Sequence, residues 1–158
     1  MAKEKVWFAD ANAANWVESL VAKAKDLFYE AKLNECIEKG DSVAIKIHFG
    51  EWNRTRCLRP ELVAAIVEEV KACGGRPFVC DTTTLTYHPY SSRFIGNLAL
   101  ETAARHGFTE ASLGCPVVVA DGFSGDDDVR VEVPTGIILK EAYVAAAIAH
   151  ADAMINLA

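Results

Sequence analysis

His48, Glu51, Asp81 and His88 are the side chains here whose types and placement suit chemistry. An imidazole or carboxylate can carry a proton, and two imidazoles with a carboxylate can hold a metal that keeps open positions. His48 and Glu51 follow the apolar run Val43-Ala-Ile-Lys-Ile, and Asp81 ends Pro77-Phe-Val-Cys-Asp81 before Thr82-Thr83-Thr84. Both runs read as strands that turn polar as they end. In an open α/β sheet, ligands bind in the crevice outside the carboxyl ends of the strands. These endings therefore locate a candidate site without naming a reaction.

Each residue has a functional and a plain reading. Lys46 and His48 leave the same face of their strand. A lysine inside an apolar parallel strand needs a partner or a place near the mouth, so Lys46 is either a structural ion pair or a substrate-binding cation. His48 suits a base, a metal ligand or a hydrogen-bonded support for the loop. Asp81 with Thr82 and Thr84 can orient a polar ligand, or can simply form the turn that stops the strand. Arg93, Tyr87 and His88 share the following loop and can close over a ligand or stay solvated.

The candidates are thus His48 and Asp81 for catalysis, and Lys46, Glu51, Arg59, Thr82, Thr84 and Arg93 for substrate. His48, Asp81 and His88 are the candidate metal ligands. Arg54, Arg56 and Arg59 make the one dense basic patch, on the scale of a small anion. Cys57 and Cys80 lie beside the mouth, where satisfied free thiols are the default.

Several familiar motifs are absent. Asp121 to Glu132 has the length of a calcium loop, but Phe123 and Gly125 stand where oxygen ligands are needed. Gly122-Phe-Ser124-Gly125 is one residue too short for a nucleophile elbow. There is no phosphate-binding P-loop and no GxGxxG.

The elements that must position these groups alternate. A strand at 6–9 is expected first, then a helix over about 15–39 opened by Asn15 and Glu18 and ended by Gly40. Strand 43–48, a helix from Pro60 to Gly74, strand 77–81, helix 95–106 and strand 116–120 follow. Val129–Val133, Pro134-Thr-Gly136 and Ile137–Lys140 read as a hairpin, then an Ala-rich helix over 141–150 and a strand from Ala153 to Leu157. This order predicts a three-layer αβα domain with a mainly parallel sheet and a β-hairpin insertion near 128–140. The chain stops on its last strand without a closing element, which suggests a single α/β domain, 1–158, cut from a longer protein.

Its 158 residues are 51% hydrophobic and 24% charged, ordinary globular values. A net charge of -6 argues against nucleic acid as a partner, and no apolar stretch is long enough for a membrane span. The five cysteines fit neither a disulfide framework nor a zinc or cluster motif. A cytoplasmic chain with free thiols is the plain reading.

Together, KIHFGEWNRTRCLRPELV at 46–63, FVCDTTTLTY at 78–87, ARHGF at 104–108 and PVVVADG at 116–122 resemble the family catalogued as domain of unknown function 362. Its members are often labelled uncharacterised iron–sulfur centre proteins. The resemblance runs from about Asp41 to Ala158. Family members usually continue into a His- and Gly-rich segment, and many carry a ferredoxin-like module with two four-cysteine groups for 4Fe-4S clusters.

The resemblance implies the α/β half of a redox-associated protein, with that C-terminal module as its partner and the cluster ligands outside this chain. His48, Glu51, Asp81, Thr82, Thr84 and Arg59 match the family's recurrent positions. The expected function is a substrate- or cofactor-binding domain of an iron–sulfur protein that takes a small anionic ligand. A metal-dependent enzyme with a strand-end His/Asp site and a non-catalytic scaffold for the ferredoxin-like module are the alternatives.

Overall fold

The computed structural model describes residues 5–84 and 92–158. Strands β1 (Ser42–Lys46), β2 (Arg76–Asp81), β3 (Val117–Val119) and β6 (Ala153–Asn156) form one parallel sheet in the order β3-β2-β1-β6. Helices α1 (Leu20–Glu30), α2 (Pro60–Ala72), α3 (Gly96–Arg105), α4 (Glu110–Leu113) and α5 (Ala146–Ala149) surround it. An antiparallel ribbon, β4 (Asp128–Glu132) with β5 (Glu141–Ala145), stands apart. The domain is α/β with a mainly parallel sheet, as expected.

Side-chain size explains the layers. Val43, Ile45 and Ile47 alternate onto one face and are fully buried against Phe28 of α1 and Val63, Val67 and Val70 of α2. Each such burial contributes roughly 1.5–3 kcal/mol. A one-residue slip would turn the whole set to the other face, so the register is strongly set. That other face carries small residues, Ala44, Cys80 and Ala120. The α5 backbone can therefore come close, and the Ala147 N–H donates to the Ala120 carbonyl at 3.1 Å. The second covering layer is thin.

Strand order creates a crevice. From β1 the chain steps outward through β2 to β3, then returns to place β6 on the opposite side of β1. The Leu157 N–H donates to the Lys46 carbonyl at 2.8 Å, continuing the β1–β6 contact past the last paired residues. The order thus reverses between β1 and β6, and this switch point is where open α/β sheets gather ligands.

Three expectations are corrected. Residues 6–9 form no strand: Val6 and Phe8 remain exposed, and Lys23 Nζ holds Asp10 and the Asn12 carbonyl instead. The single helix over 15–39 is three pieces. Asn15 caps only a 3-10 turn at Trp16–Glu18, and Ser19 caps α1 through the Ala22 N–H. Lys32, in the left-handed region at φ 59, ends the helical run before a second 3-10 turn at Leu33–Cys36. Gly40 only turns the chain toward β1.

The hairpin's return strand lies at 141–145, where a helix was expected, and α5 is confined to 146–149. Pro134–Gly136 opens a longer connection, because Val133 N–H pairs with the Lys140 carbonyl and the ladder then runs from Glu132↔Glu141 to Asp128↔Ala145. Ladder bonds and the Arg130–Glu141 ion pair override the helical preference of an Ala-rich segment. The insertion accordingly spans 128–145.

Candidate functional site

The loop leaving β1 is pinned before it reaches the crevice. Phe49 is fully buried beside Phe108, with ring centroids 6.5 Å apart. Gly50 follows at φ 89, and a Cβ there would stand 2.8 Å from the His106 ring. His106 in turn lies between the Thr102 carbonyl at 2.9 Å and the Arg54 carbonyl at 3.2 Å. Arg105 covers the Trp52 ring at 4.5 Å, a cation–π contact. Helix α3 and the turn after it therefore fix the 49–54 loop from behind.

At the strand ends, Asp81 is only 2% exposed and fully engaged. Its Oδ2 accepts the Phe49 N–H at 3.0 Å and Arg93 Nη1 at 2.5 Å, while Lys46 Nζ stands 3.1 Å from Oδ1. Arg93, also buried, forks onward: Nε donates to Glu51 Oε1 at 3.1 Å, and Nη2 stands 3.1 Å from His48 Nε2. Ser92 donates its hydroxyl proton to Glu51 Oε2 and accepts the Trp52 N–H at 3.1 Å. Five sequence candidates, Lys46, His48, Glu51, Asp81 and Arg93, thus form one network.

Other candidates fall outside it. Thr83, rather than Thr82 or Thr84, makes the side-chain bond to Asp121, with Oγ1 to Oδ2 at 2.6 Å and its N–H on the same carboxylate. Thr84 is tied to the network by its N–H on the Arg93 carbonyl at 3.0 Å. Arg59 is exposed and precedes α2 as its N-cap residue. His88 and Tyr87 lie outside the described residues, and with them the three-ligand metal arrangement. Ser92 and Asp121 were not singled out from sequence. Ser92 had no signal beyond standing next to Arg93, whereas Asp121 ends a strand as Asp81 does.

The charges in the network balance: Lys46 and Arg93 against Glu51 and Asp81. Burial alone raises the Glu51 carboxyl, but the Ser92 hydroxyl and the Arg93 guanidinium outweigh it and hold Glu51 below its ordinary range. His48 is held below 6.5, first by desolvation, then by Arg93 and more weakly by Lys46, with Asp81 and Glu51 opposing. Its tautomer follows from its partners. Nδ1 accepts the Gly50 N–H at 2.8 Å, so the proton of the neutral ring sits on Nε2.

Beside His48 opens a polar cavity of about 420 Å³ lined by Glu51, Asn53, Arg54, Thr55 and Arg56. Among the described residues, Arg54, Arg56 and Arg59 make no ion pair. A second cavity, about 360 Å³, runs from His48 and Arg56 to Leu58 and Leu157 at the switch point.

Metal and cluster chemistry find no assembled donors here. Among the described residues no three His, Cys, Asp or Glu side chains are grouped to hold a metal ion. The five cysteines are all free: Cys80 and Cys115 are buried, Cys57 and Cys73 half-buried, and Cys36 exposed. Burial and, secondarily, Asp81 push the Cys80 thiol up to about 12, which keeps it protonated. These thiols do not fit the four-cysteine set of a 4Fe-4S cluster. Among the described residues, no helix is long and apolar enough to cross a membrane.

Fold and site define an α/β domain with a polar crevice at its topological switch point. The chain belongs to the family described as Domain of unknown function (DUF362), which matches residues 43–158. No curated protein and no solved structure matches it.

Proposed function

We propose that the domain binds a small anionic ligand in the crevice between the carboxyl ends of β1 and β6. Arg54 and Arg56, which line the cavity beside His48 and make no ion pair among the described residues, carry this reading. An anion in that cavity would receive charge-assisted hydrogen bonds from both guanidinium groups. Their positive charge comes in addition to the balanced network. In this reading Asp81 and Lys46 hold Arg93 in place, and Glu51 and Ser92 set its tilt. His48 is the group through which a proton can be exchanged with the ligand.

The resemblance to proteins labelled as iron–sulfur centre proteins extends the proposal. This domain is the ligand-binding half of a redox system, and any 4Fe-4S cluster is held by cysteines outside this chain, such as those of a ferredoxin-like module. The scattered free thiols support placing cluster ligation elsewhere.

Titration of the protein with methyl phosphate and acetate, followed by calorimetry and by the NMR signals of the His48 ring, tests the anion site. Saturable binding that shifts the His48 signals and weakens at least tenfold in Arg54→Ala/Arg56→Ala is expected. Binding that ignores both arginines, or no binding at millimolar concentration, would reject it.

A further inference from the structure

Three neighbouring cavities at the switch point share lining residues in sequence. His48 and Arg56 line both the polar cavity and the one at the ends of β1 and β6. Leu58, Leu157 and Ala158 line the latter and also a third cavity of about 600 Å³. This third space lies between α1, α2 and the end of β6, walled by Leu27, Phe28, Ala31, Leu62 and Ile66, with Trp7 at its side. No charged side chain lines it. From the first to the third, the lining thus changes from arginine and histidine, through a short mixed stretch, to a mainly apolar wall in which Asn156 is the polar side chain.

Such a gradient matches one kind of molecule in outline. We propose that the ligand is an amphipathic anion: a phosphate or carboxylate head between His48, Arg54 and Arg56, and an unbranched hydrocarbon tail in the groove between α1 and α2. This deepens the anion reading above and rests on it for the head. The tail has its own support. An exposed apolar groove of this size needs a covering partner, and the arginines at one end select an anion as the group that brings it. The occupant is one free amphiphile, since the groove is a concave slot neighbouring the charged crevice rather than a convex apolar face suited to a bilayer.

Binding of methyl, butyl and octyl phosphate to the full chain, each kept below its micellar concentration, tests the assignment. Affinity should rise by about twofold to fourfold per methylene, as for hydrocarbon leaving water for an apolar site. Ala31→Trp, which fills the groove, should flatten this dependence while leaving methyl phosphate affinity unchanged. Leu62→Gln should halve it or more and serves if the tryptophan variant does not fold. Arg56→Ala should weaken all three ligands by a similar factor.

A chain-length series that is flat in the unaltered protein would overturn the tail site, as when another protein segment already fills the groove, and would leave the anion reading standing. Absence of binding by methyl phosphate, with octyl phosphate bound independently of Arg56, would remove the anion reading and with it this one. Sedimentation with phosphatidylglycerol vesicles that Ala31→Trp leaves unchanged would assign the apolar surface to a bilayer and also overturn it.

Discussion

Arg93 Nη1 lies 2.5 Å from Asp81 Oδ2, joining a strand end to a loop twelve residues further on, with both side chains almost wholly out of water. This pair organises the crevice: Asp81 also takes the Phe49 amide, and Arg93 also reaches Glu51 and His48. A buried pair of this kind adds little relative to well-packed apolar residues, but breaking one half is costly because the other charge remains buried.

Asp81→Asn is therefore expected to lower stability by about 1–3 kcal/mol, since Arg93 keeps Glu51 but loses one carboxylate and half-exposed Lys46 loses its own. Urea denaturation would show this as a lower midpoint at unchanged slope. A loss under 1 kcal/mol would mean the pair is not formed in solution.

His48 gives the fold a pH dependence. Its folded pKa lies below 6.5, so the unfolded chain binds more protons in the interval between the two values. Stability is then fully present above pH 6.5 and declines as the pH falls toward the folded value. Glu51, also depressed, contributes stability above its unfolded value of 4.5 that is lost at lower pH still. The His48 ring is exposed to the crevice, so its contribution is small. Denaturation midpoints measured between pH 7.5 and 5.5 should fall less in His48→Gln than in the unaltered protein; parallel declines would contradict the assignment.

Gly50→Ala should cost roughly 1–3 kcal/mol. The substitution puts a side chain at φ 89 and drives its Cβ to 2.8 Å from the His106 ring. The loop carrying Glu51 and Arg54 would shift with it, so affinity for methyl phosphate should drop alongside the thermal midpoint. A variant with unaltered midpoint and affinity would show that the loop is not anchored through this contact.

The ribbon connection behaves oppositely. Ile137 and Ile138 are 96% and 89% exposed and contact no core. Ile137→Ser with Ile138→Lys should leave stability within about 0.5 kcal/mol while improving solubility. A large loss of stability would reveal packing of this connection against the sheet.

The sheet and its two main helices were legible because their patterns are long and unmixed. Val43–Ile47 is a continuous apolar run, and α2 carries Pro60 at its start, an apolar stripe and Gly74 after its end. The failures share another cause. Trp7, Phe8 and Val17 look like core residues, yet the structure leaves them at the surface. Ala142–Ala145 favours a helix locally, but the ladder with β4 decides its state, and such pairing has no local signature. At the strand ends, position along the chain put Lys46, His48, Glu51 and Asp81 at one place, and the structure joins them in one network. That position could not show that Thr83 would turn away to Asp121, or that Arg93 would enter the centre of the network. Those outcomes depend on contacts made across dozens of residues.

The β1–β6 pairing also has a consequence for how the domain is made. Strand β1 is central in the finished sheet, yet the neighbour on one side arrives about a hundred residues later, as in the bond from the Ser42 N–H to Asp152. During synthesis, β1, β2 and β3 can assemble with α2 and α3 while one edge of β1 still presents unpaired amides and carbonyls. Docking of Ala153–Asn156 onto that edge follows the assembly of those strands. The same step brings Leu157 beside His48 and Arg56, so the cavity these three residues share forms only when the sheet is closed. A ligand that bridges β1 and β6 would act as a fastener on the closing strand.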